Sequence, residues 1–230
     1  MSARIVFIHG AGCDGTVFVN QTHAFEHSVA LNLPGHSRPG FADSISAFAD
    51  DVSNELAHNG FENVLLVGSS MGGAIALELA LRKHPAVRAI ALLGSGAKLR
   101  VAPAIFEAID KDFPSSAKML AGYFFHKPTP GMIDAAIAAM LAVGPAQTNA
   151  DFLACNAFDA TSRIGEIQVP VLALTGESDV MTPPKMSAFL GDRIRGCQTR
   201  IVPGAGHLLF IERPEETNEA LRAFASQVDH

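Results

Sequence analysis

The sequence predicts an α/β domain with a mainly parallel central sheet flanked by helices. Short apolar runs alternate along the chain with longer segments whose apolar residues recur at helical spacing, which is the pattern of strands joined by helices. Apolar and polar residues do not alternate in these runs, as they would in a sheet with one face exposed to solvent. Continuous apolar runs are expected when helices cover both faces of the sheet. A length of 230 residues suits one such domain with a small insertion.

Six apolar runs have the length and composition of strands. The predicted strands are Arg4–His9, Ser28–Leu33, Val64–Gly68, Ala89–Gly94, Val171–Gly176 and Gln198–Val202. Helical spacing predicts one helix from Ile45 that ends near Gly60, a second that begins at Ser70 and a last one that begins at Pro214.

One long stretch breaks this alternation, because it contains helical segments and no apolar run of strand type. It extends from Lys98 to Ile167. Its predicted helical segments are Ile105–Ile109, Ala117–Phe125, Met132–Val143 and Phe152–Phe158. We therefore expect a core domain of residues 1–97 and 168–230, with a helical lid, or cap, inserted as residues 98–167.

Composition and charge argue against several classes of function. Acidic residues outnumber basic ones by 23 to 17, and no run of Lys or Arg stands out, so neither nucleic acid nor an anionic membrane surface is an expected partner. The most apolar stretch, Met132–Val143, carries Asp134 and is too short to cross a bilayer. The N-terminal residues contain no apolar run of signal-peptide length, and the cysteines, Cys13, Cys155 and Cys197, have no metal-ligand spacing. These features predict free thiols and a cytoplasmic location.

The strongest chemical signal is the run Gly-Ser-Ser-Met-Gly-Gly that begins at Gly68, between an apolar strand and a helix. A tight strand-to-helix turn strains its central residue and raises that side chain above the sheet, which requires small residues on both sides. Gly68 and Gly72 stand two residues before and after Ser70, so we assign Ser70 as the nucleophile. Ser69 does not fit the same pattern, because residue 67 is valine. An ordinary Gly-rich turn is the alternative, and the flanking strand and helix disfavour it.

A second signal is the loop His-Gly-Ala-Gly that begins at His9, directly after the first predicted strand. A serine hydrolase needs two backbone N–H groups directed at the negatively charged oxygen that forms during attack. The residue after the nucleophile, Met71, supplies one of them, and we assign the other to Ala11.

Two later loops contain an acid and a base. Glu177 and Asp179 follow the end of a predicted strand, and either carboxylate could orient an imidazole there. We favour Asp179, because it lies deeper in the turn and Glu177 is expected to face solvent, with Asp159 as the next candidate. His207 follows the last predicted strand in a Gly-rich loop, downstream of both the serine and the acid.

These motifs resemble those of the α/β-hydrolase family over essentially the whole chain. The matching segments are His9–Gly12, Leu33–Ser37, Gly68–Gly73, Gly176–Asp179 and Gly206–His207. The order Ser, Asp, His is that of this family and differs from the orders in chymotrypsin and subtilisin. Within the family the chain is similar to small bacterial carboxylesterases and enol-lactonases, such as the pimeloyl-carrier-protein methyl esterases. The resemblance implies the α/β-hydrolase fold, a catalytic triad of Ser70, Asp179 and His207, an oxyanion hole formed by Ala11 and Met71, and a helical lid.

One segment departs from the family pattern. Leu33–Ser37 is shorter than the usual Asp-x-x-Gly-His-Gly-x-Ser sequence. The departure does not involve the predicted triad, and we expect His36 to be structural rather than catalytic.

Aromatic side chains of the lid are candidates for a substrate pocket, with simple packing as the alternative. The candidates are Tyr123, Phe125, Phe152 and Phe158. The lid has no cationic cluster along the sequence, so we expect a small to medium, neutral and moderately apolar carboxylic ester as substrate. Such an enzyme needs no metal or organic cofactor and no macromolecular partner, and we expect a monomer or a homodimer.

Other functions are compatible with the same motifs. The bond cleaved could be a lactone, an amide or a carbon–carbon bond, or the reaction could be perhydrolysis. A ligand sensor that retains the triad and signals to a protein partner is a further alternative. Haloalkane dehalogenases and epoxide hydrolases are disfavoured, because they have aspartate at the nucleophile position.

Overall fold

The computed structural model describes residues 4–228, so the outermost residues of the predicted core, 1–3 and 229–230, lie outside the described part. The described chain forms a six-stranded sheet in the order β2-β1-β3-β4-β5-β6, and every neighbouring pair is parallel. The strands are β1 Arg4–Ile8, β2 Ser28–Leu31, β3 Val64–Ser69, β4 Val87–Leu93, β5 Val171–Gly176 and β6 Gln198–Val202. The predicted parallel α/β sheet is therefore confirmed.

Helices connect the strands throughout the described residues. They are α1 Val19–Ala24, α2 Ile45–His58, α3 Met71–Leu81, α4 Pro103–Lys111, α5 Phe113–Phe124, α6 Met132–Val143, α7 Pro145–Ala157, α8 Pro184–Arg193, α9 Leu209–Glu212 and α10 Pro214–Val228. None of the helices within residues 4–228 is long and apolar enough to cross a membrane.

The core lies on both faces of the sheet. Every residue of β3 and β5 is buried, which explains why their sequences are apolar without alternation. Every residue of helix α3 except Glu78 is buried. Its first residues, Met71 to Ala76, include two glycines and two alanines that allow close approach to the sheet. Helix α2 has one apolar face, which packs against α3, and the Ser44 side chain caps its N-terminus by accepting from the Ala47 N–H at 3.2 Å.

Strand order and register bring three loops to one place. The chain leaves β1 toward β2 on one side and leaves β3 toward β4 on the other, so a crevice opens at the carboxyl ends of β1 and β3. Ile8 of β1 aligns with Gly68 of β3, and Ser69 aligns with Leu93 of β4. The loops that follow these three strands therefore meet around Ser70.

Helices α4 to α7 all lie between β4 and β5, in the segment 98–167. Helix α7 begins at Pro145, seven residues before the predicted start at Phe152, because proline is well suited to the first position of a helix. The segment leaves and re-enters the core at one point, where the Ala160 N–H donates to the Ala97 carbonyl at 2.8 Å. Beside this hydrogen bond, Lys98 and Asp159 form an antiparallel backbone bridge and a side-chain ion pair.

Candidate active site

Ser70 has the strained backbone that the turn between β3 and α3 requires. Its φ is 51° and its ψ is −112°, a combination that costs a residue with a side chain about 1–3 kcal/mol. A Cβ atom on Gly68 would lie 2.1 Å from the Gly72 carbonyl oxygen, and a Cβ on Gly72 would lie 2.1 Å from the Ile8 oxygen. No larger residue fits at either position, which explains the Gly-x-Ser-x-Gly spacing.

Neighbouring loops hold the Ser70 backbone from two sides. Its N–H donates to the Leu93 carbonyl at the end of β4 at 3.0 Å. Its carbonyl accepts from the Ser95 hydroxyl at 2.8 Å. Because both polar groups of the Ser70 backbone are bonded, the turn is fixed without a ligand.

The loop after β1 passes directly over the turn. A Cβ on Gly10 would be only 3.2 Å from the Cβ of Ser70, so glycine permits this close approach. Within residues 4–228, neither the Ala11 nor the Met71 N–H donates to a protein acceptor. Met71 is the first residue of α3, where an N–H has no partner inside the helix. Two free N–H groups therefore lie beside Ser70, as an oxyanion hole requires.

Asp151 of α7 anchors this loop, and the sequence analysis did not identify it. Its Oδ2 atom accepts from the Gly12 N–H at 2.9 Å and from the His36 Nε2 at 2.8 Å, and its Oδ1 accepts from the Gln147 amide at 2.9 Å. Both Asp151 and His36 are completely buried. His36 thus has the structural environment expected for it, because it helps to hold the carboxylate that binds Gly12.

His9 contributes a second, uncharged anchor. Its Nδ1–H donates to the Gly10 carbonyl at 2.9 Å, and its Nε2 accepts from the Leu33 N–H at 3.1 Å. The neutral ring satisfies both contacts, whereas a protonated Nε2 could not accept. Burial lowers the pKa of His9 to about 3, and the neighbouring charge of His36 acts in the same direction.

Asp179 and His207 form a hydrogen-bonded pair, and both are buried. The His207 Nδ1 lies 2.9 Å from Asp179 Oδ2. The other oxygen of Asp179 accepts from the N–H groups of Met181 and Thr182 at 2.9 and 2.8 Å. Burial acts to raise the pKa of Asp179, but the charge of His207 and these hydrogen bonds outweigh it and lower the pKa below its ordinary value.

This contact sets the tautomer of His207. Nδ1 faces a carboxylate and carries the proton, so Nε2 is free to act as an acceptor. Gly94 links this pair to the turn that contains Ser70. It follows Leu93, whose carbonyl accepts from the Ser70 N–H. It also lies against the pair, because a Cβ atom on Gly94 would be 3.2 Å from both His207 Nδ1 and Asp179 Oδ2. Within residues 4–228 the Ser70 hydroxyl makes no hydrogen bond to His207, a bond that often tightens only when substrate binds.

The two other candidate acids do not contact the imidazole. Glu177 is exposed and accepts from the Gly204 N–H at 3.1 Å. Asp159 is also exposed and pairs with Lys98. Only Asp179 of the three contacts His207.

Comparison with known proteins agrees with this architecture. A model of the alpha/beta hydrolase family matches residues 5–220. The chain belongs to this family. The resemblance drawn from the motifs is thus confirmed, and the relatives include enzymes that act on esters.

Three relatives are representative. A pimeloyl-[acyl-carrier protein] methyl ester esterase of Neisseria meningitidis is 28% identical over 98% of this chain and 77% of its own length. The solved structure of a thermophilic esterase is 30% identical, with a TM-score of 0.88 over 98% of this chain and 90% of that one. The structure of Est816, an N-acyl homoserine lactone degrading enzyme, is 28% identical, with a TM-score of 0.87 over 97% of this chain and 93% of that one.

In this α/β hydrolase a buried glutamate joins the His207 loop to the helical segment. Glu212 of α9 accepts from the Gly206 N–H at 2.6 Å with one oxygen. Its other oxygen accepts from the N–H groups of His126 and Lys127 at 2.9 and 2.8 Å. No sequence pattern pointed to Glu212, because an acid at a helix end is usually exposed.

A cavity of about 360 Å³ opens beside Ser70. Its other lining residues are Lys98, Leu99, Arg100, Val101, Cys155, Met181, Thr182, Pro183, Lys185 and Met186. They belong mainly to the loops that follow β4 and β5, so the wall is formed by the edge of segment 98–167 and the approach to α8.

None of the four aromatic residues expected at the substrate pocket lines this cavity. Tyr123 is 46% exposed, and Phe152 and Phe158 are buried in packing contacts. Phe125 instead lines a second, largely apolar cavity of about 370 Å³ between α6 and the core. The expectation that these aromatic residues line the cavity at Ser70 is therefore corrected. Their spacing along the helices reflects helix packing, whereas residues of loops form most of the cavity wall.

Proposed function

We propose that this chain is a serine hydrolase that cleaves a small to medium, moderately apolar carboxylic ester through a Ser-His-Asp acyl-enzyme mechanism. The observation that carries the proposal is the environment of Ser70. Within residues 4–228, a strained serine lies beside two backbone N–H groups that have no protein acceptor. Gly94, which follows the residue that binds the Ser70 N–H, lies against an imidazole held by a buried carboxylate. These are the parts that acyl transfer needs.

In the first half of the reaction, the Ser70 hydroxyl adds to the ester carbonyl carbon while its proton passes to His207 Nε2. The carbonyl oxygen becomes an oxyanion that accepts from the Ala11 and Met71 N–H groups. Asp179 stabilises the imidazolium and keeps Nδ1 protonated. His207 then gives its proton to the leaving alkoxide, so an alcohol departs and an ester to Ser70 remains.

In the second half, water adds to the acyl-enzyme and gives a proton to the same Nε2. Collapse of the intermediate breaks the bond to Ser70, which recovers its proton from His207. The products are one carboxylic acid and one alcohol, and the enzyme is unchanged.

We assign substrate enclosure to the proposed lid, segment 98–167. It supplies Lys98, Leu99, Arg100, Val101 and Cys155 to the Ser70 cavity, and a volume of about 360 Å³ suits a small to medium ester. We further propose a cytoplasmic enzyme, a monomer or a homodimer, that acts on a small molecule.

Lactone hydrolysis is a second candidate. A lactone is a cyclic ester, so it needs the same catalytic groups, and the similarity to the homoserine lactone degrading enzyme favours including it. Ring opening would leave the acid and the alcohol on one product.

An active-site probe and a substrate panel test the proposal. We expect a fluorophosphonate to label the wild-type protein and Ser70→Ala to abolish both labelling and turnover of a panel of alkyl and aryl esters and lactones. Ser69→Ala is the matched control, because the Ser69 hydroxyl is buried without a hydrogen-bond partner within residues 4–228 and its removal breaks no contact. Labelling that survives in Ser70→Ala, or is lost in Ser69→Ala, would contradict the assignment.

A further inference from the structure

Three cationic side chains meet at the cavity beside Ser70. Lys98 and Arg100 reach it from the loop after β4, and Lys185 reaches it from the first turn of α8. Lys98 and Arg100 are nearly adjacent, but Lys185 is distant in sequence, so the group of three is not visible there. The chain as a whole has a net charge of −6, so this concentration of positive charge is local and opposite to the average.

Two of these cations have no acidic partner. Lys98 forms an ion pair with Asp159. Arg100 and Lys185 are exposed and form no salt bridge within residues 4–228. Two uncompensated positive charges at a cavity whose walls exclude part of the solvent raise its potential and attract anions.

Apolar side chains line the same cavity as the cations and Ser70. Leu99 is buried directly between Lys98 and Arg100 in sequence, and Val101 and Met186 add to the apolar wall. A ligand that satisfies both features has an apolar body and a negatively charged end. The first turn of α8 adds a small positive potential of the same sign.

We propose that the natural ester carries an anionic group, such as a carboxylate, at the end that is farther from the scissile bond, and that Arg100 and Lys185 bind it. This inference rests on the proposed function, since it concerns the substrate of the same site. It replaces the expectation of a neutral ester with that of an ester whose moderately apolar chain ends in a charge.

Matched pairs of substrates test the inference. Each pair consists of a methyl ester with a terminal carboxylate and the methyl ester of equal length with a terminal carboxamide, which is neutral and of nearly the same shape. The pairs differ in chain length, so that the distance between the ester and the charge is varied. We expect wild-type kcat/KM to favour the carboxylate in at least one pair, and the preference to fall as salt is added.

Variants identify the residues that bind the charge. Arg100→Gln combined with Lys185→Gln should lower the carboxylate-to-carboxamide ratio of kcat/KM about five- to tenfold, the effect of losing two partly screened ion pairs. Lys118→Gln and Arg195→Gln are matched controls, because both residues are exposed and lie outside the cavity lining. The controls should keep the wild-type ratio.

The outcomes separate this inference from the proposed function. Turnover of carboxamide esters without a preference for any carboxylate would overturn the inference and leave the proposed function intact. A preference that persists unchanged in the double variant would also overturn it, because the charge would then be bound elsewhere. Failure of the wild-type protein to hydrolyse either member of any pair would count against both.

Discussion

The turn after β5 determines which oxygen of Asp179 faces His207. Backbone N–H groups of Met181 and Thr182 bind Oδ1, so Oδ2 is left to contact the imidazole at 2.9 Å. The lowered pKa of Asp179 keeps the carboxylate charged at any pH at which a neutral imidazole can act as base. In the proposed mechanism this carboxylate orients His207 and stabilises its cation.

Replacing this acid gives a prediction at the scale of one residue. Asp179→Asn keeps the shape of the side chain but can leave the imidazole in the wrong tautomer, and the comparable change in a serine protease costs ~10⁴ in turnover. Glu177→Gln should cost little, because the amide oxygen can still accept from the exposed Gly204 N–H. The measurement is kcat/KM at equal folded concentration, checked by circular dichroism. Severe loss in Glu177→Gln with a mild one in Asp179→Asn would reverse the assignment.

The proposed catalytic residues could be selected from the sequence because each one follows a strand within a Gly-rich turn. The residues that hold these turns could not. Asp151 and Glu212 are buried acids, and the residue type alone does not distinguish a buried acid from an exposed one. Their role depends on which backbone N–H groups the fold brings to them, and those groups are distant in sequence.

At the scale of elements, Glu212 connects α9 and the end of α5 to the loop that carries His207. Glu212→Gln places an amide N–H₂ against at least one of three N–H donors. We expect the Gly206 N–H to lose its partner, which should cost about 2 kcal/mol in the free energy of unfolding. We also expect kcat to fall about tenfold at equal folded concentration while KM changes less than twofold, because His207 is displaced but the Ser70 cavity is not.

The control for this change is Glu215→Gln, which alters an exposed acid in the first turn of α10. It should leave kcat and stability as in the wild-type protein. If Glu212→Gln lowers stability without changing kcat, Glu212 only stabilises the fold and does not position His207.

The central strands were predicted closely because β1, β3, β4 and β5 are almost entirely buried and their sequences are correspondingly apolar. The observed β5 and β6 agree with the predicted bounds, β1, β2 and β3 differ by one or two residues at their C-terminal ends, and β4 begins two residues and ends one residue before its predicted bounds. Helices α1, α8 and α9 were not predicted, because they are short and bury few residues: α8 buries only Ser187 and Leu190. The residues of the cavity wall were not predicted either, because most of them lie in loops, which have no periodic sequence pattern.

At the scale of the whole molecule, His9 makes the fold sensitive to acid. Its pKa is about 3 in the folded protein and 6.5 in the unfolded chain. Below pH 6.5 the unfolded chain binds a proton that the folded protein rejects, so stability falls as the pH decreases toward 3 and is fully present only above 6.5. At pH 5 the titration of His9 alone should lower the free energy of unfolding by about 2 kcal/mol relative to its value above pH 6.5.

Denaturant unfolding at pH 7 and pH 5 measures this effect. The loss of stability between the two values should be smaller in His9→Gln by about 2 kcal/mol, because glutamine can accept from the Leu33 N–H without titrating. His58→Gln, at an exposed position, serves as the control and should keep the wild-type pH dependence. An unchanged pH dependence in His9→Gln would show that other groups cause the acid sensitivity.

The hydrogen bond between Ala160 and Ala97 has a consequence for how the molecule can vary. Because segment 98–167 departs from the sheet and returns to it at this single joint, its length and sequence can change without moving the ends of β4 and β5. Part of the Ser70 cavity wall belongs to the segment, so substitutions at its lining positions can change the wall. Exchange of the whole segment would also remove Asp151 and the His126 and Lys127 N–H groups, so any replacement has to keep the contacts to Gly12 and Glu212.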